Sequence, residues 1–126
     1  MTTDDYCFAC GMKNPIGLKL QFEEKDGWTH FKTTLNEEYQ GWSEIAHGGI
    51  VCTLLDEVMV WAAYIKGIEA VTGEITVRFR NPAPIGLEIE GRARIVGERG
   101  KVILTEGELV SCGKILAQGK AKLLRI

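Results

Sequence analysis

The sequence predicts an α+β fold in which a curved antiparallel sheet wraps around one long central helix. Three observations carry that reading. Between about His47 and Lys66, the residues Ile50, Val51, Leu54, Leu55, Val58, Met59, Trp61, Ala62 and Ile65 cover most of a helical circumference. A helix apolar nearly all round has to be enclosed rather than laid on a surface. Four strand-like runs follow it, over 70–80, 87–96, 102–110 and 115–124, and two precede it, over 18–23 and 28–35.

Composition sets the frame. The chain has 126 residues, 45% of them hydrophobic and 25% charged, the make-up of a single globular domain spanning 1–126. That apolar fraction excludes a disordered chain. The 15 glycines follow no period, which excludes collagen-like sequence. The net charge of −2 offers no basic field, so neither nucleic acid nor an anionic membrane is an expected partner. Met1 to Asp5 is polar, with no apolar stretch after it, and Asp56 and Glu57 interrupt the apolar run from Ile50 to Ile65. Neither a secretory leader nor a membrane span is therefore expected. A reducing cytoplasm is the expected compartment, where thiols stay free or bind metal.

The elements read as follows. Asn14-Pro15 and Gly17 form a turn into the first strand, where Leu18, Leu20 and Phe22 alternate with Lys19, Gln21 and Glu23. Lys25-Asp26-Gly27 turns the chain into the second strand, which sets Trp28 and His30 on one face and Thr29, Phe31 and Thr33 on the other. Residues 36–46 have no clean period and read as loop. Gly67 suits the C-terminal end of the helix. Val71, Gly73, Ile75, Val77 and Phe79 then alternate with Thr72, Glu74, Thr76, Arg78 and Arg80, until Asn81-Pro82-Ala83-Pro84 breaks the pattern. Glu98-Arg99-Gly100 and Cys112-Gly113 are the turns between the last three strands.

Cys7-Phe8-Ala9-Cys10 is the only close cysteine pair. A four-cysteine zinc site usually needs a second close pair, and Cys52 and Cys112 are far apart. An N-terminal turn with buried thiols is favoured over structural zinc or redox chemistry, and no metal is expected. Cys52 and Cys112 sit in apolar runs and read as core.

The stretch richest in chemistry is His47-Gly48-Gly49 followed by Asp56 and Glu57. Free amides at a helix start carry partial positive charge and can hold an anion or a developing oxyanion. Gly48 and Gly49 leave that backbone open to close approach, although a tight helix start without a ligand uses the same residues. Asp56 interrupts a helix that should be wrapped, and a buried carboxylate is costly without partners or a role. Asp56 and Glu57 point about 100° apart, so only one need be buried. Gly48 and Asp56 are eight residues apart, about 12 Å along one helix. Two groups that far apart cannot both touch one carbonyl. If both serve one reaction, they come from two chains, and the site lies between paired subunits.

At these residues the chain resembles the hotdog-fold acyl-CoA thioesterases, in the phenylacetate-pathway (PaaI-type) branch related to 4-hydroxybenzoyl-CoA thioesterase. The motif His47-Gly48-Gly49 with Asp56 carries the resemblance. Val71-Thr72-Gly73-Glu74-Ile75-Thr76-Val77-Arg78-Phe79-Arg80-Asn81-Pro82-Ala83 forms a second block in register. The leader Cys7-Phe8-Ala9-Cys10-Gly11 with Asn14-Pro15 and Gly17-Leu18 also resembles a segment found in part of this superfamily. The resemblance implies hydrolysis of an acyl-CoA thioester to free acid and coenzyme A. Coenzyme A enters as part of the substrate, and no separate cofactor is implied. Asp56 matches the general base or nucleophile, Gly48 the glycine whose amide polarises the carbonyl, and His47 a residue near that carbonyl. Thr72 matches a hydroxyl that helps hold the catalytic water. Gly49 and Gln40 are candidate substrate contacts, and Arg78 and Arg80 are candidates for the coenzyme A phosphates. The implied assembly is a homodimer that often pairs again into a tetramer.

The chain departs from the family in one place. Many relatives carry an Asn a few residues before the His, where this chain has Gly41, leaving Gln40 and Ser43 as the available replacements. That departure keeps a non-catalytic acyl-CoA binding protein on the same scaffold as the alternative. Hotdog dehydratases use Asp-x-Asn-x-x-His or His-Phe-Pro-Gly patterns, and neither occurs in the chain.

Overall fold

The alternating runs pair into one six-stranded antiparallel sheet, and the apolar run packs across it as a helix. The structure is a computed structural model that describes residues 5–126; of the polar segment Met1 to Asp5, residues 1–4 lie outside the described residues. The elements are β1 (Glu23–Lys25), β2 (Trp28–Thr34), a 3-10 turn (Glu37–Tyr39), α1 (Gly48–Tyr64), β3 (Ala70–Phe79), β4 (Glu88–Arg99), β5 (Val102–Ser111) and β6 (Lys114–Arg125). Strand order across the sheet is β1-β2-β4-β5-β6-β3, antiparallel throughout. This is the predicted order of two strands, a long helix and four strands. It leaves β3 as a ten-residue edge strand paired on one side only.

Val51, Leu54, Leu55, Val58, Met59, Ala62 and Ala63 form the buried face of α1, a stripe with helical spacing. The helix comes close to the sheet because glycines face it. A Cβ on Gly107 or Gly119 would stand 3.3 or 3.2 Å from Met59 atoms. The rest of the core comes from the inward residues of the strands, among them Phe31, Ile89, Ala93, Ile103, Leu109, Ala117 and Leu123. On β2 the predicted alternation holds, with Thr29 and Phe31 buried under the helix. Trp28 lies on the outer face beneath the Arg92 and Arg94 guanidiniums.

The structure corrects three expectations. First, of the run over 18–23 only Glu23 joins the sheet, as the first residue of β1. Lys19 adopts φ 54°, which breaks an extended ladder, and the Leu18 and Leu20 amides bond to the Phe8 and Ala9 carbonyls of the leader. The alternation still marks the faces, since Leu20 is buried and Leu18 and Phe22 pack on the core. Second, Cys112 is exposed. It has φ 52° ahead of Gly113 at φ 74°, as in the two-residue turns that suit hairpins. Cys52 is only half-buried. Third, the thiols of the N-terminal turn are not buried, Cys7 being exposed and Cys10 half-buried; the sheet itself packs along one side of α1, as the expected fold class implies. The Trp61 side is covered by the segment before β1, where Phe22 stacks on the Trp61 ring at 5.0 Å. The side carrying Cys52, Thr53 and Asp56 stays half-open.

Candidate active site

The helix start is built by a histidine cap. His47 Nδ1 accepts the Gly49 amide at 2.9 Å, and the His47 carbonyl accepts the Ile50 and Val51 amides. An accepting Nδ1 is unprotonated, so a neutral His47 ring carries its hydrogen on Nε2. Three of the amides at the helix start are thereby used, and the Gly48 amide has no hydrogen-bond partner among the described residues. His47, Gly48 and Gly49 are all exposed. Phe79, at the end of β3, lies beside Gly48, where an added Cβ would meet its ring at 3.8 Å. Of the two glycines singled out in the sequence, only Gly48 presents an open donor, while the Gly49 amide is committed to His47.

Asp56 sits two turns further along α1. Its Oδ1 accepts a 2.5 Å hydrogen bond from Thr72 Oγ1, a short charge-assisted contact if the carboxylate is ionised. The strict alternation read from β3 places Thr72 on the face away from the helix. The structure differs because the β3–β6 register shifts between Thr72 and Glu74. This bulge turns both Ala70 and Thr72 toward α1, while beyond it Ile75 and Val77 take the inward positions. Gly73, inside an otherwise regular strand, was the available sequence signal for a bulge. Next to Asp56, burial, and secondarily the Asp56 charge, push the Cys52 thiol up from its ordinary pKa.

The remaining candidates divide. Gln40 Oε1 accepts the Glu44 amide at 3.2 Å, which braces the 40–46 turn and commits that oxygen. Gly41 closes the same turn against His47, and a Cβ there would stand 3.1 Å from His47 Cα. A side chain at position 41 would therefore press on the His47 backbone unless the turn shifted. Arg78 and Arg80 lie on the outer face, where they line a groove of about 480 Å³ with Trp28, Thr76, Gln118 and Lys120. Arg80 Nε donates to Gln118 Oε1 at 3.1 Å. Within one chain these arginines are across the sheet from Asp56.

A cluster that the sequence names only in separate pieces lies about 100° further round α1. Glu57 Oε1 accepts Trp61 Nε1–H at 3.1 Å and the Cys7 thiol at 3.8 Å. Burial pushes the Glu57 carboxyl up, opposed by hydrogen bonds from Cys10 and Trp61. Burial and then the hydrogen bond to Glu57 push Cys10 up as well.

Comparison with known proteins fits this architecture. The thioesterase superfamily model matches residues 44–116, from the turn before the His47 cap into β6. The chain belongs to the thioesterase superfamily, and its fold is the hotdog fold of the PaaI-type members. Protein RHA08564, a thioesterase superfamily protein, superposes with a TM-score of 0.89 at 23% identity, over 97% of this chain and 61% of that one. The Escherichia coli PaaI protein from the phenylacetic acid degradation operon superposes with a TM-score of 0.79 at 22% identity, over 86% of this chain and 80% of that one. The mouse (Mus musculus) acyl-coenzyme A thioesterase THEM5 is 26% identical over 102 residues, covering 60% of this chain. This chain spans 41% of the length of that relative.

Proposed function

We propose that the chain is an acyl-CoA thioesterase whose active form is a dimer with two composite sites. The open Gly48 amide, about 12 Å along the helix from Asp56, is the observation that carries this reading. Gly48 stands at the Phe79 end of β3 and Asp56 at its Thr72 end. Antiparallel pairing of two β3 edges brings the Phe79 end of one copy to the Thr72 end of the other. Each Gly48 amide then faces the Asp56 of the partner subunit. The edge suits such pairing, being long and carrying exposed Val71 and Phe79.

In that site the Gly48 amide donates to the thioester carbonyl oxygen and stabilises the oxyanion. Asp56 acts as general base on water, or attacks the carbonyl itself, and Thr72 positions its carboxylate. The carbon–sulfur bond breaks, and coenzyme A leaves as a thiolate that takes up a proton. The His47 cap holds the Gly48 amide in place, leaving Nε2–H for the substrate. The outer-face groove with Arg78, Arg80 and Lys120 is the candidate holder of coenzyme A phosphates from a neighbouring subunit of a tetramer. Four unpaired thiols fit a reducing cytoplasm. No helix among the described residues is long and apolar enough to cross a membrane.

Release of free thiol from short, aromatic and long acyl-CoA esters tests the proposal, with Asp56→Ala as the control. Loss of release in the variant, with fold and assembly intact, is the expected result. Wild-type turnover in Asp56→Ala removes Asp56 from the mechanism. The commitment of Gln40 to its own turn favours the second reading, a non-catalytic acyl-CoA binder. Such a protein would bind the esters without releasing thiol.

A further inference from the structure

The proposed reaction leaves unused the leader that folds over the Glu57 flank of α1. The leader is a tightly built unit. The Gly11 amide donates to the Cys7 carbonyl at 2.8 Å, Leu18 to Phe8 at 2.8 Å and Leu20 to Ala9 at 2.9 Å. A Cβ on Gly11 would collide with the Cys7 nitrogen and the Asp5 carbonyl, so the turn admits only glycine there. Ala9 and Leu20 anchor it in the core. The turn carries Cys7 and Cys10 to Glu57, so that one sulfur from each and a carboxylate oxygen all lie within 4.8 Å of one another.

Zinc holds sulfur at about 2.3 Å and carboxylate oxygen at about 2.0–2.2 Å, which sets tetrahedral sulfur and oxygen ligands about 3.6 Å apart. The Cys7 Sγ to Glu57 Oε1 distance is 3.8 Å. Small side-chain rotations bring the three donors to ligand spacing. Two outer contacts orient them. The Cys10 amide donates to Cys7 Sγ at 3.4 Å, and Trp61 Nε1–H donates to Glu57 Oε1 at 3.1 Å; such partners fix ligand orientation in metal sites.

We propose that Cys7, Cys10 and Glu57 bind one zinc ion, with water in the fourth position, and that the ion fastens the leader to α1. Two thiolates and one carboxylate form a donor set suited to this borderline-soft divalent cation. Each thiol gives its proton to solvent as its sulfur–zinc bond forms, and nothing is oxidised. The site replaces the sequence expectation of no metal. Counting cysteines missed it because the third ligand comes from the helix, 47 residues after Cys10.

The test is a titration of the reduced, chelator-treated full chain with cobalt(II) and then zinc(II). One cobalt per chain is expected, with thiolate-to-cobalt charge-transfer absorption that one zinc displaces, and zinc is expected to raise Tm. The double variant Cys7→Ser/Cys10→Ser should lose both signals. Glu57→Gln should weaken cobalt affinity at least tenfold, and Trp61→Phe about tenfold. Asp56→Ala should keep the one-to-one stoichiometry, which separates this site from the thioesterase reading. Wild-type protein that fails to bind one cobalt through thiolates overturns the proposal, whatever the variants do. Undiminished affinity in Glu57→Gln overturns it equally.

Discussion

Asp56 and Glu57 are neighbours in sequence, yet they occupy opposite kinds of surroundings on α1. On the Asp56 flank the helix is half-open. The carboxylate has one hydroxyl partner, Thr72, and looks toward the unpaired edge of β3. On the Glu57 flank the chain has closed over itself, and the carboxylate meets an indole N–H and a thiol beneath a leader anchored in the core. A step of about 100° around the helix separates a half-open flank, which the proposed dimer would complete with a second copy, from one that this chain completes alone. The two carboxylates should therefore fail in different ways when changed.

The largest expected effect is on the open flank. Asp56→Ala should lower thiol release about 10²- to 10⁴-fold, the usual contribution of a positioned base, with unchanged sedimentation and Tm within a few degrees. Next comes the edge itself. Phe79→Asp places a charge on an apolar side chain that is 54% exposed, and it should convert the dimer to monomer in sedimentation velocity, with turnover lost. A Phe79→Asp variant that stays dimeric would move the interface away from β3. On the closed flank, Gly11→Ala should cost about 1–3 kcal/mol by overpacking, read as a lower denaturation midpoint. Activity per folded molecule should survive, because the leader bonds to Glu57 while Asp56 bonds to Thr72.

Two smaller effects sharpen the contrast. Thr72→Ala should lower the rate about 10- to 100-fold, the weight of one hydrogen bond to a charged group, and Thr72→Ser should restore most of it. Cys52 reports the charge at Asp56. Because its thiol is pushed up by burial first and by Asp56 second, it carries less thiolate at pH 8 than an ordinary cysteine. Alkylation at pH 8 should be slow, and modestly faster in Asp56→Asn. No acceleration would mean that burial alone protects the thiol.

Periodicity shows where the sequence was legible. The apolar stripe of α1 and the long strands β3 to β6 impose helical or twofold patterns over ten or more residues, and the structure has them within a few residues of the expected bounds. The segment over 18–23 shows the limit, because its alternation marks the buried side without revealing that its partner is the leader. At Cys112 the sequence reads as both turn and core, and the turn reading holds: a residue at φ 52° at a hairpin tip is exposed whatever its hydrophobicity. In the site, His47-Gly48 and Asp56 stood out because glycines at a helix start and a carboxylate in an apolar helix both break local rules. Thr72 facing Asp56 depends on a one-residue bulge, and Glu57 meeting Cys7 and Cys10 depends on a long-range fold-back. Neither leaves a periodic trace.

The central claim is that each site is shared between two chains, and subunit complementation tests it most directly. Gly48→Pro deletes the amide at a first-turn position where proline is tolerated. The preceding His47, at φ −59° and ψ 138°, already has the extended conformation that proline requires of its neighbour. Gly48→Pro and Asp56→Ala proteins should each be inactive alone. After co-refolding into mixed dimers, half of the dimers are hybrids, and each hybrid has one site with both groups intact. Thiol release should then return to about a quarter of the wild-type rate. Mixed dimers that form and remain inactive would contradict the account, because a site contained within one chain has no intact copy in the hybrid.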